Sequence, residues 1–243
     1  MSQPLRLAMW SGPRNISTAM MRAWGNRADT FVCDEPLYAH YLATTGKDHP
    51  GADEVIAHGE TDADKVTGWL TGPVPHGKAI FFQKHMTHHL LPGMDRAWLK
   101  KVTNCFLIRD PRDVLLSYTK IIDQPTAADT GFPQQLDIFN WVGEQLRTTP
   151  PVLDARDVQN RPRAMLGLLC NFLGVAFEEC MLSWAAGPRP TDGVWAKHWY
   201  KEVETSTSFR PYQPRTGMLA SEMNAVYEEC LACYETLHAQ RLH

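Results

Sequence analysis

Two short stretches combine residue types and spacings suited to holding anions. The first is Ser11-Gly12-Pro13-Arg14-Asn15-Ile16-Ser17-Thr18, which follows an apolar run and leads into a helical pattern. A strand, a glycine turn and a helix start bring backbone N–H groups and the positive end of the helix dipole onto one point, which favours a phosphate or sulfate there. Gly12 permits a tight turn, Pro13 stiffens it, and Asn15 tolerates backbone angles that most residues avoid. Arg14 adds a permanent forked cation, and the hydroxyls of Ser17 and Thr18 can cap the helix or donate to an anion's oxygens. A Walker A loop would place Gly-Lys ahead of its Ser or Thr. Here Ile16 and Ser17 stand before Ser17 and Thr18, which disfavours a nucleoside triphosphate with magnesium. Taken alone, the stretch reads equally well as a Gly-Pro turn before a capped helix.

The second stretch is Asn104–Tyr118, an apolar strand ending in a charged turn that enters a helix. Asp110 suits the N-cap, Pro111 the first helical position and Asp113 the acidic first turn, so Asp-Pro-x-Asp needs no ligand to explain it. Arg109, at the strand's carboxyl end, and Ser117, on the inner face of the helix, are left over. An arginine and a hydroxyl so placed can grip a second phosphate.

The elements that must position these residues alternate along the chain. Short apolar runs at Leu5–Trp10, Thr30–Cys33, Ala79–Gln83, Asn104–Ile108 and Pro151–Leu153 are mostly followed by helical spacing. That pattern predicts an α/β fold in three layers, with a central parallel sheet between helices and ligands beyond the strands' carboxyl ends. The chain reads as one domain over residues 1–243, with an amphipathic C-terminal helix over about 220–240 carrying Met223, Val226, Tyr227, Cys230, Leu231, Tyr234 and Leu237. Residues 44–65, 123–135 and 187–195 are polar and rich in Gly or Pro, and read as lids or substrate-facing loops.

Composition narrows the partners. A formal charge of −3 provides no broad positive field for nucleic acid or a membrane surface, so any anion site is local. The apolar start is too short for a signal-peptide core, and Leu166–Phe177 falls short of the roughly 20 residues that cross a bilayer. Six scattered cysteines suggest a reducing, cytoplasmic setting. Cys230 and Cys233 form a lone Cys-x-x-Cys within the last helix and read as core. His85 and His89 lie one helical turn apart, but they lack the His-Glu-x-x-His pattern and an obvious third ligand, so no metal is expected.

Together, SGPRNIST (11–18) and RDPRDVLLSY (109–118) resemble the two nucleotide-binding motifs of the sulfotransferase family. FFQKHMTHHLLP (81–92) resembles the segment between those motifs. Residues 153–177 are similar to the family's later strand, acidic turn and Phe-Leu-Gly ending, with Arg161-Pro162 in place of Asp-Pro. The resemblance runs over roughly residues 5–180 and implies a P-loop NTPase-like fold. It implies transfer of a sulfuryl group from 3′-phosphoadenosine 5′-phosphosulfate (PAPS) to a hydroxyl or amine of a small-molecule acceptor.

By the same resemblance Gly12, Pro13, Arg14, Asn15, Ser17 and Thr18 hold the 5′-phosphosulfate, Arg109 and Ser117 hold the 3′-phosphate, and Arg215 in Pro214-Arg215-Thr216-Gly217 adds to the latter. His85 is implied as the base that deprotonates the acceptor, with Glu35 the second candidate and His88 the reserve. Lys84 is the implied cation near the leaving oxygen, and Arg14 stands where many members carry lysine. Glu35 also reads as a turn acid ahead of Pro36. The competing readings are a P-loop small-molecule kinase, with Asp110 as a magnesium ligand, and a non-catalytic nucleotide-binding module.

Overall fold

Five parallel strands form one sheet: β1 (Leu5–Ser11), β2 (Thr30–Asp34), β3 (Ile80–Met86), β4 (Thr103–Ile108) and β5 (Val152–Asp154), in the order β2-β3-β1-β4-β5. The computed structural model describes residues 3–243. The strands are apolar on both alternations because both faces are covered. Leu7 and Met9 of β1 join one core, whereas Ala8 and Trp10 join the other. The same alternation splits Phe82 from Phe81 in β3 and Leu107 from Phe106 in β4.

The helices are α1 (Ser17–Gly25), α2 (Tyr38–Thr45), α3 (Ala52–His58), α4 (Ala63–Thr71), α5 (Pro111–Tyr118), α6 (Ala127–Thr130), α7 (Phe132–Leu146), α8 (Ala155–Asn160), α9 (Pro162–Phe172), α10 (Ala196–Trp199), α11 (Lys201–Glu204) and α12 (Asn224–His238). Helices α1 and α9 cover one face through Met20, Met21, Trp24, Met165 and Leu169. Helices α4, α7 and α12 cover the other through Val66, Leu70, Ile138, Val142 and Leu237. After β1 the chain enters α1 on the first face. After β4 it enters α5, whose Val114 packs with Cys230 and Cys233 of α12. The order of strands reverses around β1, and such a reversal opens a crevice at the strands' carboxyl ends.

Two of the three stretches read as loops are partly helical. Residues 44–65 contain all of α3 and the start of α4. Their turn-forming residues are caps: Gly46 and Gly51 take φ of 64° and 78°, and the Asp62 carboxylate accepts from the backbone N–H groups of Asp64 and Lys65. Residues 123–135 contain α6, opened by a Thr126/Asp129 capping box, and the first turn of α7.

Gly12 has a different duty from the one its turn suggested. Its φ is not in the left-handed region; a Cβ there would lie 2.4 Å from the carbonyl oxygen of Thr130 at the end of α6. The loop after β1 is thus pressed onto the α6–α7 junction with no room for a methyl group. Gly12→Ala is expected to cost about 1–3 kcal/mol by overpacking against backbone, read in a thermal melt as roughly 2–4 °C per kcal/mol for a chain of this size.

Candidate active site

The two stretches read as anion-holding interlock. Asn15 Nδ2 donates to the Leu107 carbonyl at 2.9 Å, fastening the first loop to β4, while its Oδ1 accepts from Ile16 N–H at 2.7 Å. Arg14, rather than Asn15, takes the left-handed conformation, with φ 58°. Its Nε donates to Ser117 Oγ at 2.9 Å on α5, and its carbonyl accepts from an Arg109 terminal nitrogen at 3.0 Å. Neither Ser17 nor Thr18 caps α1. The N-cap is Ile16, no side chain caps the helix, and both hydroxyl residues line the cavity described below.

Arg109 and Arg215 flank Asp113. The Arg109 guanidinium lies 3.6 Å from the Asp113 carboxylate, which also accepts from the Arg215 backbone N–H at 3.2 Å. Yet the Nε of Arg109 and that of Arg215 are both buried without a partner. Burial first, then the nearby Arg215 and Arg109, push the Arg14 guanidinium below its ordinary value, against the opposing pull of Glu202. Arginine stays charged through shifts of this kind. Three neighbouring guanidiniums, two of them with an unused buried Nε–H, form a site short of negative charge, and unmade bonds to charged groups are costly.

A second group sits at the carboxyl ends of β2 and β3. Asp34 and Lys84 are register partners, and Lys84 Nζ donates to Asp34 at 2.8 Å, to Glu35 at 2.5 Å and to the Tyr200 hydroxyl at 2.6 Å. The Tyr200 hydroxyl donates to Asp34, with both carboxylate oxygens within 2.9 Å. Glu35 has φ 41°, an uncommon angle for a side-chain-bearing residue, held by its N–H donating to the Lys84 carbonyl at 2.9 Å. Burial raises the Glu35 carboxyl above its usual value, opposed by Lys84 and reinforced by Asp34. The same carboxylates hold the Lys84 ammonium well above its ordinary value despite its burial.

His85 is not part of this group. Alternation along β3 sends Lys84 to the cavity and His85 to the opposite face, where its ring stacks on Trp10 at 4.4 Å and lies 5.7 Å from Trp98. Burial pushes it down to about 3. His88 and His89, in the turn after β3, do line the cavity, with Nδ1 of each buried and unpartnered. Burial likewise lowers His88 to about 3.

One cavity of about 560 Å³ joins the two groups. Pro13, Arg14, Asn15, Ser17, Thr18, Arg109 and Arg215 line it, as do Glu35, Lys84 and His88. Gly12, Ser117 and His85 are not among its lining residues. Ser117 reaches the site through Arg14. Trp199, Tyr200, Glu202 and Arg210 line it as well and carry no recognisable motif. Among the described residues, no group of three or more His, Cys, Asp or Glu is placed to hold a metal ion, and no helix is long and apolar enough to cross a membrane.

A family model described as "Sulfotransferase domain" matches residues 5–241, and the chain belongs to that family. The branched-chain-amino-acid aminotransferase-like protein 1 of Arabidopsis thaliana is 36% identical over 248 residues; the match covers 100% of this chain and 43% of that protein. The chain therefore spans less than half the length of that relative, whose name describes a longer protein. Among solved structures, a sulfotransferase from Alicyclobacillus acidocaldarius superposes with a TM-score of 0.56 at 12% identity, covering 100% of this chain and 98% of that one. The sulfotransferase domain from the curacin biosynthetic pathway gives 0.54 at 16% identity, over 94% and 98%. At such identities the likeness is one of fold: a parallel sheet between helices.

Proposed function

We propose that the sulfuryl donor is 3′-phosphoadenosine 5′-phosphosulfate and that the acceptor is a small molecule presenting a hydroxyl or amine. The observation that carries this reading is the pair of buried, unpartnered guanidinium N–H groups on Arg109 and Arg215, lining the same cavity as an uncapped helix start. A donor with phosphate at both ends of a nucleoside meets both sets. The loop 12–18 and the start of α1 hold the 5′ end; Arg109 and Arg215 hold the 3′-phosphate; Arg14, steadied by Ser117, adds positive charge between the two motifs.

The donor supplies a sulfuryl group on a phosphate leaving group. The chain's residues position the acceptor and offset charge, which is most of what such transfers require. Glu35 takes the acceptor's proton as the oxygen–sulfur bond forms and the bond from sulfur to the phosphate oxygen breaks. Its raised pKa brings it nearer neutral pH, where a carboxylate is a more effective base. Lys84 stays charged beside it and offsets negative charge. His85, turned to the far face, does not fit that role, and His88 remains within the cavity. The kinase reading loses its magnesium ligand, because the Asp110 carboxylate caps α5 by accepting from Arg112 N–H at 2.8 Å.

Titration calorimetry tests the donor assignment. Adenosine 3′,5′-bisphosphate is expected to bind with an affinity indifferent to Mg²⁺ and well above that of ATP with Mg²⁺. Equal affinities, or no binding of the bisphosphate, would overturn it.

A further inference from the structure

Two carboxylates share one ammonium at the ends of β2 and β3, and only one of them can serve as a base while the other holds Lys84 in place. We propose that Tyr200 is the positioning residue that settles the division: its hydroxyl ties Asp34 to Lys84 and leaves Glu35 as the carboxylate that gains and loses a proton. This deepens the reading above and rests on Glu35 being the base.

The hydrogen bonds assign the roles. The Lys84 ammonium has three N–H groups and three acceptors, on Asp34, Glu35 and Tyr200. A phenol as the third acceptor completes the set without a third negative charge. Its own proton goes to Asp34, which also accepts from the Gly193 N–H at 3.3 Å. Asp34 is therefore tied in place by donors from Lys84, Tyr200 and Gly193. Glu35 has a single hydrogen bond, from Lys84, although Tyr200 lies close enough to lower it slightly. It alone of the two borders on the ligand cavity.

The charged and titratable groups that act on Glu35, or on which it acts, fit this scheme. They are Asp34 from β2, Lys84 from β3, Tyr38 from α2, whose phenol the Glu35 charge holds protonated together with burial, and Tyr200 from the α10–α11 joint. Tyr200 itself is buried, with the Lys84 ammonium 5.0 Å from its ring centroid and Trp195 Nε1 donating to its hydroxyl at 3.3 Å. Tyr200→Phe keeps the ring and deletes only the hydroxyl. Asp34 then loses a donor and draws Lys84 more strongly, so Glu35 is less well held as an anion and its pKa rises.

The test is a ¹³C-carboxyl NMR titration of the whole chain without ligand, with Asp34→Asn and Glu35→Gln assigning the two signals. In the unsubstituted protein Glu35 is expected to titrate above the ordinary carboxylate range. In Tyr200→Phe the Glu35 midpoint is expected to move up by about half a unit or more. An unmoved Glu35 midpoint in Tyr200→Phe, or a Glu35 midpoint in the unsubstituted chain no higher than that of an ordinary carboxylate, would overturn the assignment; the second comparison stands even if Tyr200→Phe folds poorly. Should the titration behave as expected while Glu35→Gln turns over PAPS normally, the base reading fails and the role of Tyr200 in ordering the two carboxylates stands.

Discussion

Arg109→Ala is expected to weaken adenosine 3′,5′-bisphosphate binding roughly 10- to 150-fold, the range for losing a hydrogen bond to a charged group. Binding of adenosine 5′-phosphate, which lacks the 3′-phosphate, is expected to change by no more than about threefold. The ratio is the informative quantity, because the substitution also removes the donor to the Arg14 carbonyl and the cation nearest Asp113. Those losses disturb the first loop and weaken both ligands alike. Arg109→Lys separates the effects: it restores charge beside Asp113 without the fork, so it should fall between the parent and the alanine variant for the bisphosphate only. Equal losses for both ligands in calorimetry would remove Arg109 from the 3′-phosphate site.

Arg109 was legible because its neighbours had local duties and it had none. Asp110 and Pro111 are accounted for by the start of α5, so the arginine at the strand end stood out as unexplained. The same logic picked out the loop after β1, and its buried, two-faced strands fixed the sheet. Arg14 and Asn15 were harder to order, because which of two adjacent loop residues takes positive φ depends on the partners each reaches across to β4 and α5.

Glycines and aspartates in 44–65 looked like a long loop because caps and loops use the same residues. Only the packing of Val55 with Leu42 and Tyr38 shows that a helix runs between them. Tyr200 left no trace in the sequence at all, since a 4-residue helix on either side has too little periodicity to detect. His85 is the instructive miss. Lys-x-His spacing drew attention to the histidine, whereas strict alternation along β3 allows only one of Lys84 and His85 to face the cavity, and Lys84 shares its face with Phe82 and Met86.

Glu35→Gln puts that alternation to a chemical test. The amide keeps an oxygen to accept from Lys84 and cannot take a proton, so release of adenosine 3′,5′-bisphosphate from the phosphosulfate donor is expected to slow by about 10²- to 10⁴-fold, the usual worth of a general base. Affinity for the bisphosphate should stay within about twofold, because Glu35 belongs to the other group of lining residues. The pH profile provides the sign. Burial raises the Glu35 carboxyl, and a base acts only when ionised, so the parent's rate should fall as pH drops through that raised value and hold above it. Glu35→Gln should flatten that acid limb as well as lower the rate. His85→Phe, which keeps a ring stacked between Trp10 and Trp98, should leave both rate and limb within about threefold of the parent. The opposite pattern, with the limb lost in His85→Phe and kept in Glu35→Gln, would return the base to the far face of the sheet, which a fixed β3 register cannot accommodate.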